Sequence, residues 1–163
     1  MLKVIEGDIL KAKEGFICHQ VNCQGVMGGG IAAQIRKEYP DVYVKYVNFV
    51  KEKKKYGVAY DTLLGEVLFV PVTSKETGYK TCIANIFGQD TFGTKPLETN
   101  YRFLFEGILN ILREADLYGQ DVAIPWNIGC YRGGGDWDNI VYPFIKAISI
   151  DFRKDIVLYR FNK

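Results

Sequence analysis

Two stretches of this chain place glycine where chemistry could use it: Gly25-Val26-Met27-Gly28-Gly29-Gly30 and Gly129-Cys130-Tyr131-Arg132-Gly133-Gly134-Gly135. Each follows a short β-rich apolar run and precedes a segment with helical spacing. Glycine lets backbone N–H groups approach a ligand with no Cβ in the way. A helix N-terminus adds unpaired donors and partial positive charge. Loops of that kind receive anions. Two of them, opening at the carboxyl edge of one parallel sheet, suit a diphosphate held between them. Neither is followed by the Gly-Lys-Ser/Thr of a triphosphate loop, and Gly25-Val26-Met27-Gly28 misses the spacing of a dinucleotide fingerprint. Kinase-type and dehydrogenase readings weaken accordingly.

Three side chains could move protons or polarise bonds near these loops. His19 is the single histidine, at the exit of a strand and three residues before Asn22. Its type alone titrates near neutrality when unperturbed. It reads as a proton-exchanging group or, equally, as a histidine packed under the first loop. Asp136 follows the second loop and reads as a helix N-cap or a catalytic carboxylate. Asp90 lies in a polar loop, residues 88–97, that could fold over a ligand.

The elements that must position these residues alternate along the chain. Met1 to Ile5 reads as a strand meeting the turn Glu6-Gly7-Asp8, and Phe16 to Val21 as a second, buried strand. Ile31 to Tyr39 has helical spacing and stops at Pro40. Asp41 to Lys55 reads as an amphipathic helix with Val42, Tyr46 and Phe49 inward and the lysine run 51–55 in water. Gly65 to Val72 and Lys80 to Phe87 are strands, and Glu98 to Leu117 is a long helix. Val122 to Pro125 is a core strand that opens onto the second glycine loop, Asp136 starts a helix running to Ile148, and Ile156 to Phe161 closes as a strand. Strand–helix alternation predicts a three-layer α/β/α sandwich around a mixed, largely parallel central sheet. No linker or repeat divides residues 1–163, which read as one domain.

Composition narrows the partners. With 163 residues, 48% of them hydrophobic, the chain can bury a full core without staples. A net charge of +2 is too small to argue for a nucleic-acid or membrane partner. Cys18, Cys23, Cys82 and Cys130 match no zinc spacing, so no metal is expected. Free thiols in apolar runs fit a reduced, cytoplasmic setting, and no apolar run is long enough for a membrane span.

Four ordered motifs resemble one family. They are Gly7-Asp8-Ile9-Leu10, the run His19-Gln20-Val21-Asn22-Cys23-Gln24-Gly25-Val26-Met27-Gly28-Gly29-Gly30-Ile31-Ala32, then Pro125-Trp126-Asn127-Ile128-Gly129-Cys130, and Gly134-Gly135-Asp136-Trp137. Together they are similar to macro domains, over nearly the whole chain. The likeness is greatest to the branch of ADP-ribose-1″-phosphate phosphatases, terminal ADP-ribose protein glycohydrolases and DNA-de-ADP-ribosylating antitoxins.

The resemblance implies an ADP-ribose ligand and no cofactor, with Asp8 accepting from the adenine amine beside the Ile9 backbone. Asn22 would meet the distal ribose, and Gly28, Gly29, Gly30 and Ile31 would line that ribose and the diphosphate. Ile128, Gly129, Cys130, Tyr131, Arg132 and Gly133 would cradle the phosphates from the other side. Tyr159 or Phe161 would pack on the adenine or simply in the core. The family's catalytic lysine position falls on Gln89 and its aspartate position on Gly133, so the lysine–aspartate mechanism is in doubt. His19, Asp136 and Asp90 remain as catalytic candidates. The expected activity is hydrolysis of ADP-ribose-1″-phosphate by a monomer. De-ADP-ribosylation of a protein or nucleic acid and a non-catalytic binding module stand as the alternatives.

Overall fold

A computed structural model of the chain describes residues 1–57, 63–92 and 97–161. The strands are β1 (Leu2–Glu6), β2 (Phe16–Asn22), β3 (Val67–Thr73), β4 (Lys80–Gln89), β5 (Val122–Pro125) and β6 (Ile156–Arg160). The helices are α1 (Gly30–Glu38), α2 (Pro40–Lys55), α3 (Tyr101–Tyr118) and α4 (Tyr142–Ser149). A 3-10 turn spans Ile9–Lys11, and a π-helical turn, Trp137–Val141, leads into α4.

One sheet holds all six strands in the order β1-β6-β5-β2-β4-β3. Every neighbouring pair is parallel except β3 with β4. The strands alternate faces, as period-2 geometry requires. Ile17, Val21, Ile83 and Phe87 pack toward Ile35, Val42 and Tyr46 of α1 and α2. Phe16, Cys18, Ala84 and Ile86 pack toward Leu104, Ile108 and Ile111 of α3 and Ile145 of α4. Two cores, one on each face of the sheet, make the α/β/α sandwich expected from the alternation.

Several boundaries move for local reasons. Pro40 does not merely stop α1, which ends at Glu38, but is the first residue of α2, because Tyr39 before it is forced out of helical geometry (φ −128°, ψ 75°). On α2, Val42, Tyr46 and Val50 are the buried residues, with Phe49 only half-buried. α3 begins at Tyr101 rather than Glu98, since the Asn100 side chain caps Phe103 N at 3.3 Å. The N–H groups of Glu98 and Thr99 turn instead to the Gly133 carbonyl. α3 ends at Gly119, whose φ of +62° suits glycine. β3 starts two residues late because Gly65 sits at φ +88°, outside extended geometry. β4 continues to Gln89, which takes the start of the expected 88–97 loop into the sheet, while residues 93–96 of that loop lie outside the described residues. Among the described residues, which include all four cysteines, no disulfide is formed. Among the described residues no helix is long and apolar enough to cross a membrane.

Candidate functional site

A cleft of about 940 Å³ crosses the carboxyl ends of five parallel strands in the sheet order β1, β6, β5, β2, β4. Strands about 4.8 Å apart give it a span of roughly 19 Å, room for an elongated ligand with several groups. Its ionisable lining favours an anion: Arg132 and Arg160 lie there, and Asp8 is the one carboxylate among the described lining residues.

At the β1/β6 end, Asp8 caps the 3-10 turn, its Oδ1 accepting from Leu10 N at 2.9 Å. That bond fixes the carboxylate and leaves Oδ2 as an acceptor for a ligand donor. The Tyr159 hydroxyl donates to Glu14 at 2.7 Å, so its ring edge is held while the residue still lines the cleft. Phe161, 65% exposed, is available for stacking. Arg160 is tied to Glu6 at 2.6 Å and lies over the Trp126 ring at 5.0 Å.

The first glycine loop is shaped by Asn22. Its Oδ1 accepts from Gln24 N at 3.0 Å and from the Tyr46 hydroxyl at 2.9 Å, and its Nδ2 donates to the Val26 carbonyl at 2.8 Å. One amide hydrogen remains for a ligand, so Asn22 holds the loop first and can touch a ribose only with that hydrogen. Past it, Gly29 caps α1 without a side-chain bond. The first intrahelical bond is Ala33 N to the Gly29 carbonyl at 3.2 Å. The N–H groups of Gly30, Ile31 and Ala32 precede that bond and are the orphan donors of the helix start.

The second loop meets an anion differently. Asp136 accepts from Asn139 N at 3.0 Å, so the helix that follows is already capped by its own side chain. What the loop offers is its turn. Asn127 (φ 66°) and Gly129 (φ 71°) adopt left-handed backbone, and among the described residues the N–H groups of Gly129, Tyr131, Arg132 and Gly133 find no acceptor. The Arg132 guanidinium reaches across to the first loop, into the space a Cβ on Gly29 would need. Gly29 is thus the position where the two loops close on each other, with a cation between them.

The catalytic candidates divide. His19 lines the cleft floor but is 2% exposed. Its Nε2 lies 2.5 Å from Asn85 Oδ1, and Asn85 is oriented by donating its own Nδ2 to the Leu68 carbonyl. Nε2 therefore carries the hydrogen, and Nδ1 is a buried acceptor without a partner. Burial pushes the His19 pKa down to about 4, against a smaller upward pull from Asn85. The expectation that it exchanges protons near neutrality is corrected: desolvation keeps it neutral. Asp136 is outside the cleft lining and engaged as a cap. Asp90 is also outside it, its carbonyl accepting from Cys23 N at 3.0 Å and its carboxylate facing Gln24 at 3.4 Å. Cys130 turns away as well, its thiol on the Ile128 carbonyl at 3.3 Å. The remaining expected binding residues all line the cleft. Gln34, Phe92 and Arg160 line it too, outside the motifs, as do Gln20, Trp126 and Asn127, which lie inside them without an assigned role.

A model of the macro domain family matches residues 18–142. A DNA ADP-ribosyl glycohydrolase of Thermus aquaticus is 40% identical over 150 residues, which cover 91% of this chain and 38% of that protein. An ADP-ribose 1″-phosphate phosphatase of Saccharomyces cerevisiae is 33% identical over 114 residues, 68% of this chain and 61% of that protein. The chain therefore spans between 38% and 61% of the length of the curated relatives it matches. Thermosipho africanus DarTG, solved in complex with ADP-ribose, superposes with a TM-score of 0.77 at 21% identity, over 98% of this chain and 41% of that one. At that identity it shows the fold.

Proposed function

Since the chain belongs to the macro domain family, we propose that it binds ADP-ribose across the cleft and hydrolyses ADP-ribose-1″-phosphate to ADP-ribose and phosphate. The observation that carries this reading is the closure of the two glycine loops at Gly29, with unpaired N–H groups on both sides and the Arg132 guanidinium between them. Donors fixed in advance around a phosphoryl group stabilise the charge that grows on its oxygens as it transfers, without reorganising at that moment. At the other end, Asp8 takes the adenine amine on Oδ2, and Tyr159 or Phe161 faces the base.

Hydrolysis adds water across the ester: a water oxygen bonds to phosphorus, the bond from phosphorus to the anomeric oxygen breaks, and that oxygen takes a proton. Neutral His19 does not supply the proton. With Nε2–H committed to Asn85, it can act only as an acceptor through Nδ1. The rate then rests on electrostatic positioning more than on acid–base exchange.

One observation favours a second reading, a binding module without turnover. Among the described residues the cleft lining holds no lysine, and its one histidine stays neutral. Purified protein incubated with ADP-ribose-1″-phosphate separates the two: phosphate release lost in Gly29→Glu supports hydrolysis. No release, with ADP-ribose binding heat abolished by Gly29→Glu, leaves the module. No ADP-ribose binding by the unsubstituted protein removes both.

A further inference from the structure

Beneath the second glycine loop runs a set of polar side chains that the reading above does not use. Gln20 of β2 points to the α3 face, where its Nε2 donates to Gln89 Oε1 at 2.7 Å and to Thr99 Oγ1 at 2.9 Å. Both amide hydrogens are then spent. The Thr99 hydroxyl, accepting from Gln20, passes its own hydrogen to the Gly129 carbonyl at 2.5 Å. The direction of every bond is fixed, because an amide NH₂ can only donate and a hydroxyl has one hydrogen to give. A second carbonyl of the same loop, that of Gly133, accepts from Glu98 N at 2.8 Å and Thr99 N at 3.0 Å. Gln89 is anchored from beyond by donating to the Thr91 carbonyl at 2.8 Å.

The packing is cut to this arrangement. A Cβ on Gly133 would collide with the Thr99 hydroxyl, and one on Gly88 would collide with the Gln20 side-chain oxygen. Glycine at these positions makes room for side chains from below rather than for a ligand above. Gln89 and Gly133, the two places where the sequence departs from a lysine–aspartate pattern, are thus both members of one neutral network.

We propose that the Gln20 and Thr99 side chains are positioning groups that set the shape of the second loop: the Thr99 hydroxyl, oriented by Gln20, holds the Gly129 carbonyl, beside the Gly133 carbonyl that the Glu98 and Thr99 N–H groups hold. The N–H groups of Gly129, Tyr131, Arg132 and Gly133, which lie between these two anchors or at them, are thereby kept unpaired and free for a phosphoryl group. In a planar trans peptide the N–H points opposite to the C=O, so anchoring the Gly133 carbonyl also turns the Gly134 N–H away from Glu98 and Thr99. Neither side chain need touch the ligand for its loss to be felt. The identity of that ligand rests on the function proposed above; the loop geometry does not.

The test compares Thr99→Val, which removes the hydroxyl at nearly constant volume, with Thr99→Ser, which restores it, and with Gln20→Met. Two readouts are needed: hydrogen exchange of the loop's hydrogen-bonded amides in the ligand-free protein, Cys130 N on the Asn127 carbonyl and Gly135 N on the Gly129 carbonyl, and ADP-ribose affinity by calorimetry. Thr99→Val and Gln20→Met are expected to speed exchange of the Cys130 and Gly135 amides about tenfold and weaken ADP-ribose about tenfold, one hydrogen bond's worth. Thr99→Ser should stay within twofold of the unsubstituted protein on both. Unchanged exchange and affinity in Thr99→Val and Gln20→Met, equal losses in Thr99→Ser and Thr99→Val, or faster exchange spread through β4 and α3 would each overturn the assignment. If the unsubstituted protein binds no ADP-ribose, the functional reading fails while the exchange measurement still decides the role of Gln20 and Thr99.

Discussion

Glutamine in place of His19 tests the chemistry of the cleft floor most directly, because it can keep a donor near Nε2 for Asn85 while removing the titrating ring. In the folded chain the His19 pKa is about 4, depressed by burial from an ordinary 6.5. In the unfolded chain the ring takes up a proton as pH falls through 6.5; in the folded chain it resists until about 4. The unfolded state therefore binds more protons across that window, and stability falls as pH falls. A difference of 6.5 − 4 = 2.5 pH units, at 1.36 kcal/mol each, amounts to about 3 kcal/mol. That stability is present above pH 6.5 and lost by pH 4. Urea denaturation of the protein and of His19→Gln at half-unit steps from pH 7.5 to 4 isolates this share, since the carboxylates titrate in both. The difference between the two stabilities should shrink by about 3 kcal/mol toward acid, and the His19 ring resonance should titrate near 4 in an NMR series. Parallel stability curves, or a ring titrating near 6.5, would falsify the neutral-histidine account and return His19 to the role of a proton donor.

Asp8→Ala should weaken ADP-ribose about tenfold, in the range of one charge-assisted hydrogen bond, yet change the affinity of the inosine analogue little, because a carboxylate cannot bond to a carbonyl. Competitive calorimetry with both ligands reads this, and equal losses would make Asp8 purely a cap for Leu10. Tyr46→Phe removes the hydroxyl that bonds Asn22 at 2.6 and 2.9 Å. It should lower stability by about 1 kcal/mol in denaturant and loosen the first loop, seen as faster amide exchange at residues 24–26. A Tyr46→Phe variant with unchanged exchange there would show that Asn22 holds the loop alone.

Much of the scaffold could be read from neighbours along the chain. Pro40 had to interrupt helical geometry at Tyr39, and Asp136 caps Asn139 within a single turn. Both glycine loops stand between a strand and a helix, so their place on the carboxyl edge followed from strand–helix order, through backbone sterics and hydrogen bonding that act over a few residues. Asp8, read from the sequence only as part of a turn, caps Leu10 in the structure.

Other features depend on partners the sequence gives no means of pairing. His19 has a neutral ring because the sheet buries it and sets Asn85, 66 residues away, against Nε2. Asn22 has little left for a ribose because its side chain is spent on Gln24 N and the Val26 carbonyl, with the Tyr46 hydroxyl of α2 set against both its backbone and side-chain oxygens. Gln20 reaches the second loop through Thr99, 79 residues on, and Arg132 of that loop rests on Gly29 of the other. The residue types and their spacing determined that two anion-ready loops exist. Only the tertiary structure decided which polar groups are already satisfied and which remain open, because desolvation and hydrogen-bond competition are settled between segments that meet when the sheet closes.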